Sequence, residues 1–221
     1  MPALNEVKGV QATIANIPKD RLATMGYEVE VIVVDNGSAN GTPEAARKLG
    51  ATVVYEPVRG YGSAIRAGLH KARGDIIITT DADGTYPMLA IPPIIRLIDR
   101  RGYDFVTADR LTCLDDGLMS VTNKLGNQAL SLVMRSLYGL PIKDSQTGMH
   151  ALRRDLVDKM QLRFDGYDGC QEMEIEACYY CKAKWIEVPI RYYVRVGDSK
   201  LKWWKHGTSN MFALFQKRWQ R

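Results

Sequence analysis

Three short apolar runs in this chain each end on an aspartate, and this repetition narrows the fold more than any other feature. Val29 to Val34 reads VEVIVV and stops at Asp35-Asn36-Gly37, Asp75 to Thr80 reads DIIITT and stops at Asp81-Ala82-Asp83-Gly84, and Tyr103 to Ala108 runs into Asp109-Arg110. Runs of this length, rich in β-branched residues and closed by turn formers, predict strands buried on both faces. Ala51 to Glu56 is a further strand. Thr42 to Leu49, with Pro43 at its first position, Ser63 to Ala72 and Ile91 to Arg100 read as intervening helices. Farther along, Thr122 to Leu137 and Glu172 to Lys182 read as helices, and Gly148 to Leu152 and Lys184 to Ile190 as strands. Alternation of this kind predicts an α/β fold, a mostly parallel sheet flanked by helices. Ligands of such sheets bind beyond the carboxyl ends of the strands. That rule puts a site at Asp35, Asp81 and Asp83 from topology alone.

Composition agrees with one domain carrying its own core: 221 residues, 46% hydrophobic and 25% charged. At this size neither a disulfide framework nor a structural metal is needed. No apolar run approaches the roughly 18 residues of a spanning helix, and no fixed-period repeat is present. Charge is unevenly placed. Residues 1–190 carry a net −2, whereas Arg191 to Arg221 hold eight basic residues against the single Asp198. Such a tail meets something anionic. The first residues do not read as a signal peptide, so a reducing, cytoplasmic setting is expected. There Cys113, Cys170, Cys178 and Cys181 are free thiols, and the lone Cys178-x-x-Cys181 is a packing feature.

Asp81-Ala82-Asp83 carries the chemistry. Two carboxylates one residue apart at a strand end can offer oxygens to Mg²⁺ or Mn²⁺, hard cations that keep positions open for phosphate. Gly60-Tyr61-Gly62, between Arg59 and Arg66, matches neither the dinucleotide fingerprint nor the Walker loop. It is either a substrate-facing loop or a plain helix start. Arg110, Arg195 and Lys200 are candidate phosphate ligands, because guanidinium and ammonium groups donate to phosphate oxygens.

Six segments occur together and in order: Pro2-Ala3-Leu4-Asn5-Glu6, Val33-Val34-Asp35-Asn36-Gly37-Ser38, Arg59-Gly60-Tyr61-Gly62, Asp81-Ala82-Asp83-Gly84, Asp144-Ser145-Gln146-Thr147-Gly148, and Arg195-x-Gly197-x-Ser199-Lys200-Leu201. In this the chain resembles the family-two inverting glycosyltransferases, and within them the polyprenyl-phosphate branch that makes dolichyl-phosphate mannose and glucose. The resemblance implies a GT-A fold over residues 1–200. It implies transfer of a hexose from GDP-mannose or UDP-glucose to dolichyl or polyprenyl phosphate, with inversion and with metal assistance. Pro2, Ala3, Asn5, Glu6, Asp35, Gly60, Asp81, Ala82, Arg195, Ser199 and Lys200 would bind the nucleotide sugar. Asp81 and Asp83 would hold the metal, and Asp83, Arg110, Asp144, Gln146 and Glu174 would serve catalysis. The acceptor phosphate is already largely dianionic at neutral pH, so no deprotonating base is required.

Three departures from the family pattern carry expectations. The strand that precedes Pro2 in the family is not found ahead of it here: either the true start lies upstream or the sheet is completed in another way, and a real absence predicts an exposed edge and reduced stability. Thr85 stands where relatives carry Gln, which predicts altered metal affinity through a hydroxyl that reaches metal-bound water. Asp109 adds a negative charge beside Arg110. Residues 201–221 form a basic amphipathic helix with Trp204, Thr208, Met211, Phe212, Phe215 and Trp219 along one face. That helix either docks on the domain or lies in a membrane interface with its basic residues on anionic lipid. The second reading makes the protein peripheral on the cytoplasmic face of a membrane, beside a possible membrane subunit. A non-catalytic nucleotide-sugar-binding or membrane-recruited interaction protein, and a family-two transferase with a different acceptor, are the competing readings. Nucleic acid is not expected as a partner, because the tail lacks a recognised motif and the remaining residues are net acidic.

Overall fold

The computed structural model describes residues 1–197 and 203–219. In chain order the elements are β1 (Pro2–Ala3), α1 (Val7–Ala15), α2 (Lys19–Thr24), β2 (Ile32–Asp35), α3 (Thr42–Lys48), β3 (Thr52–Tyr55), α4 (Tyr61–Lys71) and β4 (Ile76–Thr79). A short 3₁₀ turn (Met88–Ala90) leads into α5 (Ile91–Asp99), then come β5 (Phe105–Asp109), α6 (Val121–Tyr138), β6 (His150–Arg153), α7 (Arg154–Val157) and α8 (Gly169–Glu174). A π-helical turn (Ile175–Tyr180) continues α8, and β7 (Trp185–Pro189) and α9 (Trp203–Trp219) complete the chain.

The strands form two sheets. One is β1-β2-β3, parallel throughout; the other is β4-β6-β5-β7, in which β6 runs antiparallel to both neighbours and β7 parallel to β5. Successive strand residues point to opposite faces, and the core divides accordingly. Phe105 and Leu152 pack with Leu69, Met134, Met173 and Leu214 on one side. Val106 and Ala151, one residue along, pack with Ile94, Ile95 and Ile98 of α5 on the other. Buried Cys170 and Cys178 are free thiols and Cys178 belongs to the first of these clusters, as packing cysteines would be.

The expected loss of the first strand needs correction in part. Pro2–Ala3 does form a strand, in register with Val34 and Asp35 of β2. The backbone carbonyl of Met1 accepts from Val34 N at 2.9 Å, and the Met1 amino group donates to Ile32 O at 2.9 Å. Burial pushes that amino group down from its ordinary value to about 6. Two residues do not reach β4, however, and the edges of β2 and β4 face one another across a cleft of about 800 Å³ beside Met1. Ile65 and Leu69 of α4 and Ile91 and Ile95 of α5 contribute to its walls.

Helix ends follow local chemistry. Ser120 caps α6, its hydroxyl accepting from Asn123 N at 3.2 Å, and Gly139 ends the helix in the left-handed conformation at φ 68°. The C-terminal helix docks on the body through Asn210, Ala213, Leu214 and Lys217, which are buried at the helical spacing i, i+3, i+4, i+7. Lys217 is 5% exposed. Its ammonium lies 2.7 Å from Glu172 Oε1 and 2.7 Å from Glu176 Oε1, and it donates to Gln161 O at 2.6 Å. Glu172 further accepts from the backbone of Arg163 and Phe164. A buried cation matched by two carboxylates holds the helix in one place, and removing it leaves both carboxylates buried without their partner. Lys217→Ala is accordingly expected to destabilise the protein by about 3–5 kcal/mol in denaturant unfolding. A loss within about 0.5 kcal/mol would show that the helix is held by apolar contacts alone.

Candidate active site

β2 and β4 carry their last residues to one rim of the molecule, where a second cleft of about 280 Å³ opens. Pro2, Ala3, Glu6, Gly60, Asp81, Ala82, Asp83 and Arg195 line it, together with Leu4, Asn36, Arg59, Tyr61, Ala64 and Tyr167. Seven of the predicted nucleotide-sugar residues thus meet in one place with Asp83, the predicted metal ligand.

The carboxylates of this cleft converge on a guanidinium. Arg195 Nη1 donates to Asp83 Oδ2 at 2.6 Å, and Nη2 donates to Glu6 Oε1. The segment that delivers Arg195 is laced along the aspartate loop, with Tyr193 N donating to Thr85 O and Val196 N to Asp83 O, both at 2.9 Å. Asp83 Oδ1 accepts from Thr85 N at 3.0 Å and from the Thr85 hydroxyl at 2.6 Å. The Thr85 hydroxyl, expected to act on metal-bound water, is engaged instead with the Asp83 carboxylate itself. Asp81 accepts from the Tyr61 hydroxyl at 2.9 Å, and the Tyr61 ring stacks on Tyr167 at 5.6 Å. Burial, reinforced by the neighbouring Asp83 charge, raises the Asp81 carboxyl to about 6. Gly148 leaves room for this pair: a Cβ at this position would lie 2.6 Å from the Tyr61 hydroxyl and 2.7 Å from Asp81 Oδ1, so both side chains would have to shift.

Asn5 and Asp35 reach the rim but brace it from behind. Asp35 accepts from Ser38 N at 3.2 Å and shapes the turn after β2. Asn5 sits at φ 55°, a conformation Asn tolerates better than most residues, and its Oδ1 accepts from Ala39 N at 2.8 Å. Asn36, whose neighbour carried the sequence argument, does line the cleft. Its amide donates to Glu56 O and Val58 O and accepts from Gly60 N at 2.7 Å, pinning the loop ahead of α4. The Gly60-Tyr61-Gly62 loop serves both of its readings. Gly60 faces the cleft, while Gly62 packs so closely on the 164–166 segment that a Cβ would fall 2.1 Å from Phe164 O.

A second charged cluster lies deeper. Arg110, 7% exposed, grips fully buried Asp144 with two parallel bonds, Nε to Oδ2 at 2.7 Å and Nη2 to Oδ1 at 2.8 Å. Nη2 also donates to Gln146 O at 2.8 Å, and the guanidinium sits over the Tyr192 ring at 5.4 Å. Nη1 takes no protein acceptor among the described residues. Glu187 of β7 fixes this turn, accepting from Lys143 N at 2.9 Å and Asp144 N at 3.0 Å. Asp109, expected to weigh on Arg110, is taken up by Leu111 N at 2.8 Å and by Thr112.

Glu174 does not reach either cluster's open side. It is fully buried, accepts from Thr107 Oγ1 at 2.6 Å, and lies 3.7 Å from His150 Nε2. Burial pushes its carboxyl well up and the His150 imidazole down to about 3, so burial works against an ion pair between them. Glu174 lies close enough to the Arg110–Asp144 pair for their charges to act on it, and its Oε2 is buried without a hydrogen-bond partner among the described residues. Ser199 and Lys200 lie outside the described residues. Tyr167 and Glu187 are additions that the sequence reading missed. Tyr167 stands in irregular chain with no periodicity to mark it, and Glu187 stood unremarked within a predicted strand.

Oxygen-rich, partly desolvated and negatively charged, the Asp81–Asp83 loop suits a hard divalent cation. Burial first and the Asp83 charge second raise the Asp81 carboxyl, and the Arg195 guanidinium is drawn onto Asp83.

Comparison with known proteins places this arrangement. Residues 1–161 match the model of glycosyl transferase family 2. The chain is 37% identical over 203 residues to the dolichyl-phosphate hexose transferase of Haloferax volcanii, covering 91% of this chain and 84% of that protein. It is 30% identical over 215 residues to the dolichol-phosphate mannosyltransferase of Pyrococcus furiosus, covering 91% of this chain and 58% of that protein. The fold is shared with glucosyl-3-phosphoglycerate synthase from Mycobacterium tuberculosis, solved in complex with Mn²⁺, UDP and glucosyl-3-phosphoglycerate. That likeness has a TM-score of 0.74 at 23% identity, over 98% of this chain and 77% of that one. Sequence, fold and the strand-end cleft agree: the chain is a glycosyltransferase with a GT-A-like fold and belongs to glycosyl transferase family 2.

Proposed function

We propose that this glycosyltransferase moves a hexose from a nucleoside-diphosphate sugar to a polyprenyl phosphate, with inversion at the anomeric carbon, at a membrane surface. The observation that carries the donor half is the convergence of Glu6 and Asp83 on the Arg195 guanidinium at the strand-end cleft. The names of the Haloferax and Pyrococcus relatives support the acceptor half.

Each cluster has a part in the chemistry. Arg195, held at the cleft between Glu6 and Asp83, would donate to a diphosphate once a bound cation takes over the Asp83 carboxylate. A divalent cation held by Asp83 with Asp81 would supply further positive charge to the departing diphosphate when bound. Arg110, its Nε and Nη2 committed to Asp144, keeps Nη1 as the donor left for an acceptor phosphate. Fixing it in advance aligns the attacking oxygen with the anomeric carbon without reorganisation at the moment of transfer. No side-chain base is invoked, because the phosphate monoester is itself the nucleophile.

The C-terminal helix supports the lipid acceptor. Its docked face is Asn210, Ala213, Leu214 and Lys217, whereas Phe212, Phe215 and Trp219 of the predicted stripe are exposed at 69%, 39% and 72%. The docking reading of the tail is met by the buried face, and the exposed aromatic face leaves room for the interfacial reading on the same helix; Trp204 falls outside the described side chains. Exposed aromatics beside Arg218 suit a headgroup-level contact with anionic lipid. No helix among the described residues is long and apolar enough to cross a membrane.

Incubation with Mg²⁺ or Mn²⁺, polyprenyl phosphate and a panel of GDP-mannose, UDP-glucose and UDP-N-acetylhexosamines should give a polyprenyl-phosphate hexose by mass spectrometry. Asp83→Ala should reduce product at least a thousandfold. Absence of lipid product from every donor, with donor binding intact, would transfer the case to a nucleotide-sugar-binding protein or a different acceptor. The membrane contact has its own test. Replacing Phe212, Phe215 and Trp219 together by Ser should cut sedimentation with phosphatidylglycerol vesicles about tenfold and leave Tm within about 2 °C; unchanged sedimentation would remove the helix from the interface.

A further inference from the structure

One side chain joins the exposed helix to the deeper charged cluster. Asn210, 5% exposed on the docked face of α9, donates through Nδ2 to Gln146 Oε1 at 2.5 Å. Gln146 Nε2 donates to Gln171 Oε1 at 2.9 Å, and Gln171 Nε2 donates to the Asn210 main-chain carbonyl at 2.6 Å. Three elements, the turn before β6, α8 and α9, are closed into one ring of amide hydrogen bonds. The ring fixes its own polarity, since turning over either the Asn210 or the Gln146 amide would set like groups against each other.

The ring continues into the site. Gln146 N donates to Asp144 Oδ1 at 3.3 Å, and Gln146 O accepts from Arg110 Nη2 at 2.8 Å. The Gln146 side chain is thus held by the C-terminal helix while its backbone holds the Arg110–Asp144 pair. Lys217, two turns farther along α9, locks the helix to Glu172 of α8, the helix that carries Gln171. Movement of α9 relative to α8 is blocked at both ends of this contact.

We infer that Asn210 is a positioning residue for the acceptor: it holds Gln146 so that the backbone carbonyl of Gln146 braces Arg110, tying the helix that meets lipid to the guanidinium that receives the lipid's phosphate. This rests on the polyprenyl-phosphate reading of the acceptor site. The geometry carries a directional consequence. Loss of the Asn210 amide loosens Arg110 and the acceptor site, while the donor cleft, built from Glu6, Asp83 and Arg195, is untouched.

The test compares wild type, Asn210→Ala and Leu214→Ala in calorimetric binding of a short isoprenyl phosphate and in donor- and acceptor-dependent kinetics. Leu214 is fully buried on the same helix, so its truncation reports what loose packing alone does. Asn210→Ala should weaken isoprenyl-phosphate binding and raise the acceptor KM by about tenfold, with donor KM within twofold. Leu214→Ala should lower Tm and leave the acceptor KM within twofold. Equal acceptor binding by wild type and Asn210→Ala, or an equal rise of acceptor KM in Leu214→Ala, would overturn the inference alone. Failure of the wild type to bind any isoprenyl phosphate would overturn the acceptor reading and this inference with it.

Discussion

The contact on which the site depends is the guanidinium of Arg195 held between Glu6 and Asp83. It closes the two ends of the domain on each other across the carboxyl ends of the strands. Sheet topology brings Glu6 and the Asp81–Asp83 loop to one rim because parallel strands deliver all their C-terminal residues to the same side. Negative charge gathered this way has to be matched, and the chain does so by returning an arginine from beyond β7. The same device recurs twice at greater depth, as Arg110 on Asp144 and Lys217 on Glu172 and Glu176. Burying a charge is costly unless it is paired and hydrogen-bonded, so each pairing also specifies which segments lie together.

This division of charge gives the three clusters different duties. Only the Arg195 cluster lines the donor cleft, and its carboxylates are where a diphosphate and its metal would enter. The Arg110 cluster is locked by a bidentate grip and by β7 through Glu187, which suits a cation that must stay put while a phosphate is aligned on it. The Lys217 cluster touches neither and fixes the last helix. A helix anchored by a buried ion cluster leaves its aromatic side exposed without depending on that side for docking.

Much of this was legible in the residues, and what was not has a physical explanation. Apolar runs ending in Asp35, Asp81 and Asp109 located three strands within a few residues and the rim where the site lies. They could not say which side chain at the rim turns inward. Asn36 lines the cleft while Asp35 caps its own turn, and Glu174, acidic and well placed in sequence, is fully buried against Thr107 of β5. Periodicity found the aromatic stripe of the tail but took it for the face that would settle the docking question. The docked face contains Asn210 and Lys217, polar residues that become buried only because Gln146, Glu172 and Glu176 meet them from far along the chain. The same limit explains Tyr167, which enters the site by stacking on Tyr61 from a segment with no regular pattern.

The central claim is that the Arg195 cluster binds the donor's diphosphate and is not merely a strap holding the chain closed. Calorimetric titration of GDP and of UDP in the presence of Mg²⁺, into wild type and into Arg195→Met, tests it most directly. The account predicts metal-dependent binding of one of the two by the wild type and at least a tenfold loss in the variant. Equal affinity in both proteins, or no nucleotide binding by the wild type, would contradict it.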